Sequence, residues 1–319
     1  MNSSDSIDTV GIVGAGLVGS GWSIVFALAG FQVRIFDRDP GVRDDVLRSA
    51  ASAMREMASV GLAADIDAAL GRLTICNSLE EAVRDSDYIQ ESVFEHIDVK
   101  TQIAQQIGDA LKPGAIVGSS SSGIPASAFT AQAPHRERFL VVHPINPPHI
   151  VPVVELVPAP WTAKDAVSTA RHLVERAGKI PVVLTREIEG FLLNRLQGAL
   201  LNEAFALLED GYATAADIDA TVSYGLGLRW SFMGPFETID LNAPGGLSDY
   251  ARRLEPLYHS IARSRREPRG WPPELIERAN RERREALSEQ DLPARREWRD
   301  SMLMDLVSHL ARRRTPPQS

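Results

Sequence analysis

Over residues 1–187, short apolar runs of strand length alternate with stretches whose apolar positions recur every three or four residues. The runs at 9–13, 32–36, 73–76, 88–90, 115–118 and 139–142 predict strands, and 180–184 predicts one more. Between them, 17–29 and 42–60 predict amphipathic helices, closed by Gly30 and Gly61 where helices commonly stop. That alternation predicts an α/β fold built on a mostly parallel sheet covered on both faces. From Gly190 onward the alternation ends, and only helical periodicity remains, at 191–208, 215–224, 247–263, 273–287 and 294–313. The expected organisation is therefore an α/β domain over 1–187 and a smaller all-α domain over 188–319, with a frayed tail from Thr315. The 191–208 segment is apolar around much of its circumference, which predicts packing against both domains or a second subunit.

Composition narrows the function classes. A chain of 319 residues with 44% hydrophobic content can bury the cores of two domains. The net charge of −8 argues against a nucleic-acid partner, because neutralising phosphates needs surplus Lys and Arg. Arginines gather in the C-terminal third, at 281, 283, 284, 295, 296 and 312–314, but Glu277, Glu282, Glu285 and Asp291 are interleaved. These read as solvated helix faces laced by i,i+4 pairs. One cysteine, Cys76, excludes an internal disulfide and fits a reducing cytosol. The opening residues lack the basic and apolar regions of a signal peptide, and no apolar run approaches the ~20 residues that span a bilayer. A cytoplasmic location without a membrane partner is expected.

The predicted strand 9–13 runs directly into Gly14-Ala15-Gly16-Leu17-Val18-Gly19, which opens a helix. In such a turn the first glycine permits the bend, the second lets a pyrophosphate approach the backbone, and the third lets helix and strand pack closely. The helix N-terminus at Leu17 and Val18 offers free N–H groups and a positive dipole end to the anion. Asp37 ends the second predicted strand, where a carboxylate would bond adenosine ribose hydroxyls. A 2′-phosphate there would meet a like charge, each unit pair costing about 4 kcal/mol at ~4 Å and a dielectric near 20. NAD is the expected cofactor, although the adjacent Arg38 is of a type that pairs with such a phosphate. The first domain is accordingly read as a Rossmann-type domain.

Ligands of open α/β sheets gather at the carboxyl ends of the strands. Three such ends carry polar residues here. The 88–90 run leads into Glu95 and Lys100, 115–118 into Ser119-Ser120-Ser121-Ser122-Gly123, and 139–142 into His143-Pro-Ile-Asn146-Pro-Pro. The serines at 119–121 read as a flexible turn with helix-capping hydroxyls. A histidine in a proline-stiffened loop, with Glu155 delivered by the next extended segment, is how a fold builds a general base and its orienter. His149, between those two, lacks compact ligand spacing, so no metal is expected.

In order and with nearly fixed spacing, Gly14-x-Gly16-x-x-Gly19, Glu95, Lys100, Ser122, His143-x-x-Asn146-Pro147, Glu155 and Gly190-Phe191-x-x-Asn194-Arg195 resemble the 3-hydroxyacyl-CoA dehydrogenase family. The likeness is nearest to its lambda-crystallin/L-gulonate 3-dehydrogenase branch. It includes Val154-Glu-Leu-Val-Pro158, Gly227-Leu-Arg-Trp230, Gly234-Pro-x-Glu-Thr238 and Arg295-Arg-x-Trp-Arg-Asp300, so it covers essentially the whole chain. The resemblance implies His143 as the base that takes the hydroxyl proton and Glu155 as the carboxylate fixing its tautomer. It implies Ser122 on the substrate oxygen and beside the cofactor, Asn194 holding that same oxygen or the histidine, Asn146 at the substrate, and Glu95 and Lys100 on the nicotinamide-ribose side. A homodimer through the helical domain is implied as well, that domain also closing over the substrate.

The family divides between acyl-CoA thioesters and small free acids. Residues 42–70 carry only Arg43, Arg48 and Arg55, offset by Asp44, Asp45, Glu56, Asp65 and Asp67, which is poor equipment for a phosphate-bearing tail. Arg229, in a glycine-flanked segment, is a candidate clamp for a free carboxylate. The expected reaction is NAD-dependent oxidation of a small 3-hydroxy acid such as L-gulonate to the 3-oxo acid. A 3-hydroxyacyl-CoA and carnitine remain as alternative substrates, and a structural or sensor NAD-binding protein remains as a non-enzymatic alternative.

Overall fold

A computed structural model of the chain describes residues 7–265, 267 and 269–313. The opening residues, the Thr315 tail and Arg314 lie outside them. Thr9–Val13 (β1), Gln32–Phe36 (β2), Leu73–Ile75 (β3), Tyr88–Glu91 (β4), Ile116–Ser119 (β5), Phe139–Pro144 (β6), Val153–Pro158 (β7) and Ile180–Val183 (β8) form one sheet. Their order is β3-β2-β1-β4-β5-β6-β7-β8. Every pairing is parallel except β6 with β7, which is antiparallel. β1, β4, β5 and β6 are buried almost end to end, as parallel strands covered on both faces must be. That burial is why they stand out in the sequence as continuous apolar runs.

One face carries the helices Leu17–Leu28, Pro40–Ser59 and Lys164–Arg176, whose Trp22, Phe26, Met54 and Leu173 share a core with β1 and β2. Trp22 stacks on Phe26 at 5.2 Å, and Phe31 meets Phe26 edge-on at 5.8 Å. The other face is covered by Ile97–Ala110, through Ala104 and Ile107. The helix Pro40–Ser59 begins on Asp39, whose side chain accepts from the Gly41 amide, with Pro40 at the first helical position.

By contact the described residues form two units, one drawn from Met1–Arg195 with Trp298–Ser319, the other being Leu196–Glu297. The sequence division grouped everything after 187; the structure instead packs the end of Leu292–Arg313 with the α/β unit. Met304 is buried in the core with Trp22 and Met54, and the Ser308 hydroxyl donates to the Val60 carbonyl at 2.7 Å. All the regular elements among the second unit's described residues are helices, with a π-helical turn at Thr221–Leu226 leading into Gly227–Trp230. Of the C-terminal arginines, Arg278 pairs with Glu282 at i,i+4 (3.1 Å), whereas Arg283 reaches across to Asp219 (3.1 Å).

Candidate active site

At the end of β1 the chain turns at Gly14, whose φ of 91° is a conformation L side chains rarely adopt. A Cβ on Gly19 would lie 1.8 Å from the Gly14 carbonyl oxygen, so helix and turn meet backbone to backbone. A Cβ on Gly16 would meet nothing within 4 Å. The open side of the turn is therefore free for a ligand to approach the backbone, as a dinucleotide pyrophosphate requires. A cavity of about 670 Å³ adjoins it, lined by Gly14, Gly16, Leu17, Val18, Asp37 and Arg38 among others. Asp37 is fixed at its mouth: Oδ2 accepts from the Ala15 amide at 2.7 Å and Oδ1 from the Asp39 amide at 2.9 Å. Arg38 lies over the Phe94 ring at 5.7 Å. These residues fit an adenosine dinucleotide, with Phe94, Leu79 and Val93 as the apolar walls.

The antiparallel β6–β7 pair sets His143 directly opposite Glu155. Its turn explains the register: Pro147, Pro148 and Pro152 cannot donate ladder bonds, and the Ile150 and Val151 amides both donate to the Pro147 carbonyl. The apolar run at 150–154 thus begins as turn and becomes strand only at Val153. His143 Nδ1 and Glu155 Oε2 are 2.9 Å apart, with the residues 6% and 2% exposed. Glu155 Oε1 accepts from the Leu192 and Leu193 amides at 2.8 and 3.0 Å. Burial alone would raise the Glu155 carboxyl, but bonds from His143, Leu193 and Leu192 outweigh it and hold it below its ordinary value. An ionised carboxylate only accepts, so Nδ1 carries a proton in this contact, and Nε2 is the ring nitrogen that the carboxylate does not engage.

The other strand ends form a second set of contacts. Asn194 Nδ2 donates to the Ser122 carbonyl, rather than to the histidine. Glu95 Oε1 accepts from the Ser122 and Gly123 amides at 2.9 and 3.1 Å and from the Ser121 hydroxyl at 2.8 Å; the Ser122 hydroxyl lies at 3.4 Å. Burial pushes the Glu95 carboxyl up, and Ser121, Lys100 and the two amides more than reverse it. Lys100 is 1% exposed and spends its ammonium on both Glu91 oxygens (3.0 and 3.1 Å), with Glu95 at 3.7 Å.

The serine run is not a flexible turn. Ser119 donates to Glu91 at 2.5 Å, Ser120 accepts from Gln90 at 2.8 Å, and Ser121 is fully buried against Glu95. Burial behind β4 and β5 recruits these hydroxyls, which leaves no pattern in the local sequence.

The structure thus pairs His143 with Glu155 and, in a second set of contacts, links Asn194, Ser122, Glu95 and Lys100; the chain from Leu193 to Asn194 joins the two sets. Asn146 is exposed and has no side-chain partner among the described residues. Arg229 lies in the second unit, half-buried in Gly227–Trp230. Sequence reasoning missed Glu91, whose only signal was its place at the carboxyl end of a buried strand. It also missed the Leu192 and Leu193 amides, which no side-chain pattern could reveal.

Comparison with known proteins places this arrangement. Residues 9–188 match the family model "3-hydroxyacyl-CoA dehydrogenase, NAD binding domain", and 190–285 match "3-hydroxyacyl-CoA dehydrogenase, C-terminal domain". The chain is 36% identical to lambda-crystallin of Oryctolagus cuniculus over 314 residues, covering 96% of this chain and 97% of the relative. It is 40% identical to an L-carnitine dehydrogenase of Pseudomonas sp over 252 residues, 78% of each chain. A solved NAD+-dependent 5-formyl-3-hydroxy-2-methylpyridine 4-carboxylic acid 5-dehydrogenase is similar with a TM-score of 0.79, 26% identity, and coverage of 93% and 96%. With a glycine turn and cavity suited to the dinucleotide, the chain belongs to the 3-hydroxyacyl-CoA dehydrogenase family of NAD-dependent oxidoreductases.

Proposed function

We propose that the chain oxidises the 3-hydroxyl of a small 3-hydroxy acid, foremost an L-gulonate-like sugar acid, to the 3-oxo acid. The observation that carries this reading is the buried His143–Glu155 pair, 2.9 Å apart through Nδ1, with Nε2 not engaged by the carboxylate. The glycine turn at 14–19 and Asp37 would hold NAD, which would supply the hydride acceptor. His143 takes the hydroxyl proton, and Glu155 stabilises the imidazolium that forms. Ser122 holds the substrate oxygen, Asn194 pins the Ser122 main chain, and Asn146 meets the substrate from the base's own loop. Glu95, over buried Lys100, keeps the Ser122 loop closed on the nicotinamide-ribose side.

A small acid rather than a CoA thioester is supported by the fate of the basic residues on Pro40–Ser59. Arg48 is tied to Asp45, and Arg43 donates to the Asn77 carbonyl at 3.3 Å while lying over Phe36 at 5.9 Å. Only Arg55 of the three has neither tie. Arg229, half-buried and without a side-chain partner among the described residues, clamps the substrate carboxylate. Arg229→Ala should raise KM for carboxylate substrates about tenfold or more; an unchanged KM removes the clamp. Carnitine, itself a 3-hydroxy acid, is the second reading, favoured by the 40% identity to an L-carnitine dehydrogenase.

The test is NADH formation from L-gulonate, carnitine, 3-hydroxybutyrate and 3-hydroxybutyryl-CoA, repeated with His143→Ala. Turnover of a free acid that falls about 10²–10⁴-fold in the variant is expected. Turnover of the thioester alone would reassign the substrate, and turnover of none would leave a binding protein.

A further inference from the structure

The turn that links the sheet to the helix Leu193–Glu209 holds two consecutive residues at positive φ, Gly190 at 73° and Phe191 at 51°. Glycine adopts this region freely. A phenylalanine there is uncommon, and a side chain branched at Cβ is strongly disfavoured. Phe191 is fully buried, its ring 5.8 Å from that of His143 and tilted by 58°. The two amides that follow it, Leu192 and Leu193, converge on Glu155 Oε1, while Oε2 of the same carboxylate faces His143 Nδ1. The carboxylate is therefore gripped on one oxygen by the turn and leaves the other for the imidazole.

We infer that Gly190 and Phe191 are positioning residues: their left-handed backbone aims two amides at Glu155 and thereby fixes the carboxylate that orients His143. The inference rests on the proposed role of His143 and Glu155. Three observations meet in it. An L residue persists in a disfavoured conformation only where its surroundings hold it. Both amides it aims are spent on one carboxylate oxygen. The ring that keeps the turn buried packs beside the imidazole served by that carboxylate. Rotating Phe191 toward negative φ would swing both amides off Glu155, and the carboxylate would lose its anchor while remaining buried.

Substitution separates the backbone from the ring. Phe191→Gly removes the ring but favours the same φ, whereas Phe191→Val keeps an apolar side chain and opposes it. Phe191→Val should lower kcat roughly 10- to 100-fold with KM for NAD unchanged, and Phe191→Gly, despite losing the buried ring, should lose less of kcat than Phe191→Val. Gly190→Ala perturbs the turn by conformation alone, since its methyl would meet only ordinary contacts at 3.5 Å; it should follow Phe191→Val and serves if that variant does not fold.

Because the turn acts through Glu155, Glu155→Ala combined with Phe191→Val should be no slower than Glu155→Ala alone. Losses that multiply would mean a general structural role and overturn the inference. So would an unchanged kcat in both Phe191→Val and Gly190→Ala. NMR of the Leu192 and Leu193 amide protons, which needs no turnover, should show both resonances shifting in Glu155→Ala and Phe191→Val. Unmoved resonances refute the clamp even where the chain proves inactive on every hydroxy acid. Shifted resonances in a chain without turnover leave the clamp standing and refute the catalytic reading instead.

Discussion

At the scale of single residues, carboxylates of the site held charged contrast with an imidazole elsewhere, His149, held neutral. Glu155 is buried and Glu95 only partly so, and both lie below the ordinary carboxylate range because the bonds they accept outweigh what desolvation removes. His149 shows the opposite balance. Burial, with Lys179 adding to it and Asp300 opposing, brings its imidazole to about 4, and its Nδ1 is buried without a partner. It lines a cavity of about 330 Å³ together with Asp45, Ser20 and Ser49. An unfolded histidine titrates near 6.5, so between there and about 4 the unfolded chain takes up a proton that the folded chain refuses. Stability is unaffected by this group above 6.5 and falls as pH drops through that window, by at most about 3 kcal/mol. Thermal melts from pH 7 to 4.5 should therefore slope less in His149→Phe than in the parent. Parallel slopes would show that His149 protonates as easily folded as unfolded.

At the scale of elements, legibility followed burial and periodicity. The central strands were readable because a strand covered on both faces is apolar throughout, as in β1; β2, with Gln32 exposed and Arg34 half-buried, still occupies the residues expected of it. Residue type and loop chemistry single out His143 and Glu155 as a candidate base and orienter, and the structure sets the two opposite each other. Their cross-strand register was not legible, because it depends on the Pro147–Val151 turn bond and the antiparallel reversal that follows. Glu91 and Ser119 were invisible for another reason. A single acid or hydroxyl beside an apolar run has no period, and only the folded sheet places the two on Lys100. Periodicity predicts the closing helix but identifies an apolar face and not the surface it meets, so the packing of Met304 with Trp22 and Met54 leaves no sequence signal. The glycine turn is the element where sequence and structure agree most closely, and it is testable. Gly19→Ala would force a methyl to 1.8 Å from the Gly14 carbonyl, so the helix must retreat from β1. Destabilisation of about 1–3 kcal/mol, together with loss of NAD affinity by titration, is expected. Wild-type affinity would mean that the turn does not seat the pyrophosphate.

At the scale of the whole molecule, the helix Leu193–Glu209 poses the remaining question. Its sequence is apolar around much of its circumference, yet only Ala206 and Leu208 are buried, and Leu196 is 68% exposed. Elsewhere in the second unit, Tyr224, Leu228, Trp230, Phe232 and Phe236 are exposed as well. Leaving a large apolar side chain in water forgoes about 1.5–3 kcal/mol relative to full burial. Chains rarely leave so many uncovered without a partner surface. We propose that a second copy of the chain covers them, since no surplus of basic residues marks a nucleic-acid partner and the net charge is −8. Sedimentation should give a dimer at micromolar concentration. Leu196→Glu, one turn before Leu200 on the same helix face, would bring a charge into the contact and shift the equilibrium toward monomer, while the His143–Glu155 pair is left intact. A parent chain that sediments as a monomer would remove the dimer, and those apolar positions would then need another partner.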